Sequence, residues 1–161
     1  NMSGGKSLTI TATMSTTNTN LSPVIDLNRS SLVMAQNKIS SNGGSETPAT
    51  GGAEISKYIT KKIELNEPAD MAKVYINTSK PAGANIDLYY RQLPEAGNLA
   101  DTVWVVIAPD SPIPDREVFD ETSYTIDPTG EFASIQFKIV LRSTNSSKPP
   151  LIKDFRAICA T

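Results

Sequence analysis

The chain has 161 residues, 15 Lys+Arg against 17 Asp+Glu, a net charge of −2, no histidine and one cysteine. Those counts exclude an internal disulfide, every histidine-containing zinc site, and the Ser-His-Asp and Cys-His catalytic arrangements. The balance of charge argues against an electrostatic nucleic-acid binder, and no apolar run approaches the ~20 residues of a membrane-spanning helix. A chain of this length buries roughly two thirds of its unfolded surface, enough for one domain, or one domain with an appendage, to fold without metal.

Ser, Thr and Asn account for 23 of the first 50 residues, and 11 prolines and 9 glycines separate short apolar segments. That punctuation predicts an all-β domain. A start at Asn1 with Met2 behind it is expected of a piece of a longer polypeptide, or of added leading residues.

Residues 7–15 (SLTITATMS) alternate, with Leu8, Ile10, Ala12 and Met14 on one side and threonines on the other. The period of two predicts a half-buried strand. Residues 21–27 (LSPVIDL) contain Pro23 and are expected as an edge strand or extended segment. Residues 31–39 (SLVMAQNKI) fit a strand or a helical turn, and a strand is favoured. Residues 40–53 (SSNGGSETPATGGA) hold four glycines, a proline and no large apolar residue, and read as a mobile surface loop. They divide an N-terminal arm (1–39) from a denser module (54–161).

In the module, residues 58–65 (YITKKIEL) predict one strand, with Ile59, Ile63 and Leu65 on one face and Tyr58 on the other. Residues 66–70 read as a turn. Residues 71–78 (MAKVYINT) place Ala72, Val74 and Ile76 together. Residues 86–93 (IDLYYRQL) place Ile86, Leu88 and Tyr90 inward and Asp87, Tyr89 and Arg91 outward. Residues 103–107 (VWVVI) read as a central strand with Trp104 in the core, residues 108–117 as a Pro-rich loop, and residues 123–126 as a weak strand. Residues 127–130 (DPTG) are a turn. Residues 132–141 (FASIQFKIVL) are the strongest strand, and residues 151–160 (LIKDFRAICA) close the domain with Phe155, Ala157 and Cys159 in phase. Eight to ten strands without room for helical crossovers predict mostly antiparallel pairing. The expected fold is an antiparallel β-sandwich, jelly-roll-like, with an extended N-terminal arm.

Several stretches resemble tail and baseplate proteins of marine contractile-tailed bacteriophages. They are residues 16–27 (TTNTNLSPVIDL), 57–65 (KYITKKIEL), 71–90 (MAKVYINTSKPAGANIDLYY) and 137–157 (FKIVLRSTNSSKPPLIKDFRA). The resemblance implies a virion structural protein of the tail or baseplate, assembled in the host cytoplasm, with other virion subunits as partners in a homo-oligomer or symmetric assembly. It carries over no catalytic residues.

The residues themselves offer few chemical sites. Asp110, Asp115, Glu117 and Asp120 are carboxylates of the type calcium takes, but the EF-hand spacing and glycine are missing, and a solvated loop is the plainer reading. Asp87 or Glu64 with Asp120 would be a glycosidase pair only if the fold brought them together. Tyr58, Tyr75 and Tyr89 on an exposed face would stack on sugar rings, which makes a carbohydrate-binding module for host-surface glycan the alternative function. Cys159 reads as a small buried apolar residue, the Gly-Gly pairs at 4–5, 43–44 and 51–52 as flexible loop, and Asp154 and Arg156, on one strand face, as residues that would form ion pairs across a subunit boundary. The expected protein is not an enzyme, binds no cofactor, metal or nucleic acid, and has no membrane span. The candidate contact residues are Leu8, Ile10 and Val24 in the arm and Tyr89, Arg91 and Arg156 on the module. The arm either adds a strand to a neighbour's sheet edge or folds back on its own module.

Overall fold

The computed structural model describes residues 10–29, 37–41, 43–94, 98–128 and 130–161. The chain divides into two units, residues 1–36 and 37–161.

The first unit contains one short 3-10 helix, Leu27–Arg29, among its described residues, with no buried residue in it. Residues 10–15 are exposed and belong to no strand, which corrects the half-buried strand expected there. A strand is stable only where a partner takes up its backbone groups, and alternation alone does not supply one. Residues 21–26 carry no regular structure, and the strand expected over 31–39 falls largely outside the described residues.

The second unit is an antiparallel β-sandwich. Its strands are β1 (Lys57–Ile59), β2 (Ile63–Ala69), β3 (Met71–Lys80), β4 (Ala84–Leu93), β5 (Val105–Ile107), β6 (Arg116–Ile126), β7 (Phe132–Ser143) and β8 (Leu151–Ala160). One sheet runs β1-β7-β4-β5, with β2 continuing the β1 side of β7, and the other runs β6-β3-β8. Every strand pairing is antiparallel. Among the described residues a single parallel bridge, Ser40 to Arg142, lies outside the named strands. The strands split five and three, and a jelly-roll-like order goes beyond what that split shows.

The core lies between the sheets. Ala72, Val74 and Ile76 of β3 face Ile86 and Leu88 of β4 and Ile135, Phe137 and Ile139 of β7, all buried. These are the period-two positions read from the sequence. Phe137 and Phe155 meet edge to face across the gap, with centroids 5.5 Å apart. Phe155, Ala157 and Cys159 share that face and are half-buried, so burial pushes the Cys159 thiol pKa up.

Four expectations change. The turn read over residues 66–70 is mostly strand, because β2 runs to Ala69. The single strand over 58–65 is two. Thr60 interrupts it, its hydroxyl accepting from the Phe137 N–H and its carbonyl from the Gln136 side chain. The break shifts the phase. Tyr58 pairs with Ile139 and Ile63 with Ile135, both core positions, while Ile59 pairs with Lys138. Directly paired residues share a face, so Tyr58 turns toward the gap and Ile59 away from it. Next, VWVVI is not central: only Val105–Ile107 form a strand, at the sheet's edge beside β4. Val103, Val105 and Val106 are exposed. Finally, the Pro-rich loop ends earlier than expected, because β6 begins at Arg116.

Candidate functional site: a clamped sheet face and open strand edges

The outer face of the five-stranded sheet carries a second, polar layer. Lys138 lies in the middle of β7 on the side away from the core, and it is fully buried. The stretch containing Glu46 covers it. Lys138 Nζ donates to Glu46 Oε2 at 3.1 Å, to the Gly51 carbonyl at 3.2 Å, and to the Glu46 carbonyl. That uses all three ammonium donors. The ammonium also lies 4.7 Å from the Tyr89 ring centroid and 4.8 Å from that of Trp104. Lys57 adds a second cation, donating to Glu46 Oε2 at 3.3 Å and to the Gly51 and Gly52 carbonyls at 2.7 and 2.9 Å. Glu46 Oε1 accepts from the Glu54 N–H at 2.7 Å.

Burial works against the Glu46 charge, but the Glu54 N–H, Lys138 and Lys57 outweigh it and hold the carboxyl pKa below its ordinary value. The Lys138 ammonium goes the other way. Burial lowers its pKa, and the Glu46 partner only partly offsets that.

Trp104 packs into the same layer, its backbone N–H donating to the Thr47 carbonyl at 2.8 Å. The Arg91 guanidinium stacks 4.4 Å over the Trp104 ring and donates to Gln136 Oε1 at 2.9 Å and to the Ala49 and Thr102 carbonyls. Arg142 donates to Glu54 Oε1 at 2.9 Å and to Asp87. The stretch read as a mobile surface loop is therefore pinned from Glu46 to Glu54. Two of its glycines are needed by that geometry. Gly51 and Gly52 have φ of 98° and 75°, and a Cβ on Gly52 would strike the Glu46 carboxylate. Gly51 serves the left-handed backbone and Gly52 serves both that and close approach, rather than flexibility.

The layer corrects two contact candidates. Tyr89 does point outward from the core, but at 7% exposure it is buried beneath Lys138, and Arg91 is locked over Trp104. Trp104 is buried as expected, but in this outer layer and not between the sheets.

Leu8 lies outside the described residues. Ile10 and Val24 are exposed, Val24 at 87%. Arg156 is exposed on β8, stacked over Tyr75 at 4.7 Å and 3.4 Å from Glu121. Asp154 accepts from the Phe155 N–H.

The three tyrosines do not form a platform. Tyr58 lies at the open flank of the gap, Tyr75 on the outer face of the three-stranded sheet under Arg156, and Tyr89 beneath Lys138. The acidic stretch is dispersed as well. Asp110 pairs with Lys73 and Ser123, Asp115 with Lys80, Glu117 with Lys148, and Asp120 with Arg116. Among the described residues no three acidic or sulfur ligands gather into a metal site. Asp87 and Glu64 are on the five-stranded sheet and Asp120 on the other, each with its own cation. Among the described residues no helix is long and apolar enough to cross a membrane.

On the sandwich, most of the exposed large apolar residues lie on strands at sheet edges; Met71 of the central strand β3 and Ile55 and Val103 outside the strands are the others. On one flank are Val105 and Val106 of β5 and Val118 and Phe119 of β6. On the other are Tyr58 and Ile59 of β1 and Leu151 and Ile158 of β8. Comparison of the chain with family models, with curated proteins and with solved structures found no match.

Proposed function

We propose that this chain is a structural module of a bacteriophage tail or baseplate protein, non-catalytic, which holds neighbouring virion subunits in register through its strand edges. The observation that carries this reading is where the apolar surface is left. On the sandwich most of it follows β1, β5, β6 and β8, which are edge strands or lie at an edge. Edge strands present unpaired backbone groups that template pairing with another chain. Assembly interfaces bury both those groups and the apolar side chains beside them. The resemblance of residues 71–90 and 137–157 to tail and baseplate proteins supports the same reading. Carbohydrate binding is less well supported, because Tyr58, Tyr75 and Tyr89 occupy three separate surfaces.

Sedimentation velocity across a concentration series, beside thermal melts with host-surface polysaccharide, separates the two. The assembly role predicts concentration-dependent oligomers and no shift in melting with polysaccharide. A chain that stays monomeric throughout and melts higher with polysaccharide would be an adhesion module.

A further inference from the structure

We propose that the groove between β1 and β8 receives the N-terminal arm of a second copy of this chain, whose residues 10–15 add as a strand to the free edge of β8. The inference rests on the assembly role above and names its partner and site.

The groove has a volume of about 510 Å³ and opens between the two sheets, with Tyr58, Ile139, Leu141, Leu151, Ile152 and Phe155 in its lining. Ile139 and Phe155 belong to the main core, so the groove is a place where that core reaches the surface. Each flanking strand pairs on one side only among the described residues, β1 with β7 and β8 with β3. β8 thus offers ten residues of unpaired outer edge. Tyr58 and Leu151, at its rim, are 60% and 50% exposed.

The arm has the matching chemistry. Residues 10–15 (ITATMS) carry no charge and alternate Ile10, Ala12 and Met14 with Thr11, Thr13 and Ser15. One face suits an apolar groove and the other suits solvent, and isoleucine and threonine favour strands. Six residues is an ordinary strand length and fits along β8. In the single chain these residues belong to no strand, and Ile10 and Met14 stay exposed. As an unpaired, exposed segment, residues 10–15 can serve as the added strand of a second copy.

The tether allows it. The sandwich unit is secured from Asn37, whose side chain donates to the Ser146 carbonyl, and Ser40 bridges to Arg142. The 21 residues 16–36 lie between that anchor and the strand-forming segment. Fully extended they span at most ~70 Å, which is ample reach to an adjoining subunit. Each copy gives one arm and receives another; exchanged between the same two copies the contact closes a two-fold dimer, and passed on to a third copy it builds rings or filaments. Backbone pairing supplies the affinity, and the groove selects which side chains enter.

Two full-length variants test this in one sedimentation experiment. Ile10→Asp with Met14→Asp spoils the arm, and Leu151→Asp spoils the groove. Wild type should run as multiples of 17.3 kDa, and each variant alone as a monomer. An equimolar mixture of the variants should give a one-to-one dimer, since one keeps its groove and the other its arm. If both variants assemble like wild type, this docking is wrong while assembly through other edges stands. If the wild type is monomeric at every concentration, the assembly role falls as well. Monomeric variants that form no dimer when mixed also overturn the docking. Circular dichroism checks that Leu151→Asp is folded; if it is not, Tyr58→Asp replaces it.

Discussion

The outer face of the five-stranded sheet and the β1/β8 flank meet the same central strand, β7, yet they are finished in different ways. Over the outer face the chain folds its own residues 46–54 down and gives Lys138, Lys57, Arg91 and Arg142 partners. At the flank nothing comparable is laid over Tyr58, Leu151 or the outer edge of β8 among the described residues. The difference separates internal from external work. A buried charge costs too much to leave without hydrogen bonds, so a chain that buries one must supply its partners itself. An apolar edge carries no such demand and can wait for another molecule.

The largest expected effect breaks the clamp. Glu46→Ala leaves Lys138 as a buried charge without its counter-ion, and denaturant melts should show a loss of about 3–5 kcal/mol. Replacing both partners with apolar residues, Glu46→Leu with Lys138→Met, should recover most of that loss, because the desolvation cost goes with the charges. A single variant as stable as wild type would mean that the layer is not tightly closed. Gly52→Ala comes next. The positive φ alone costs an alanine about 1–2 kcal/mol, and the displaced Glu46 carboxylate adds to it.

Acid should act more gently and in a defined window. The Lys73 and Ser123 hydrogen bonds bring the Asp110 carboxyl from its ordinary 3.8 to about 2, and Glu46 lies below its ordinary 4.5. Both folded-state values are below the unfolded ones. Their contribution is therefore complete above the ordinary values and drains away as pH falls through the folded ones. Urea midpoints should hold down to about pH 5 and fall steadily toward about pH 2. Midpoints unchanged across that range would contradict both assignments. The smallest effect belongs to the flank. Tyr58→Ala should change stability by less than about 0.5 kcal/mol, as for an ordinary surface position, while weakening self-association.

The same contrast explains what the sequence made readable. The core between the sheets was legible because burial on one face of a strand imposes a period of two, as at Ala72, Val74 and Ile76. The clamp was not, because Glu46 and Lys138 are 92 positions apart and no local rule joins them. Two signals pointed to it. Lys138 interrupts the most apolar strand of the chain, and Glu46 is the only charged residue in positions 40–53. The place of VWVVI is not legible, since a short apolar run looks alike at a centre and at an edge. The face of Tyr58 is not legible either, because Thr60 breaks the strand and shifts its phase, which no residue in KYITKKIEL announces.

Amide hydrogen exchange, followed on the full chain below and above its assembly concentration, tests the contrast between closed face and open flank most directly. The account predicts that amides of residues 46–54 bonded within the clamp, such as the Glu54 N–H, are protected at both concentrations. It also predicts that the outward amides of β8 gain protection only on assembly. Protection gained over 46–54, with β8 unchanged, would contradict it.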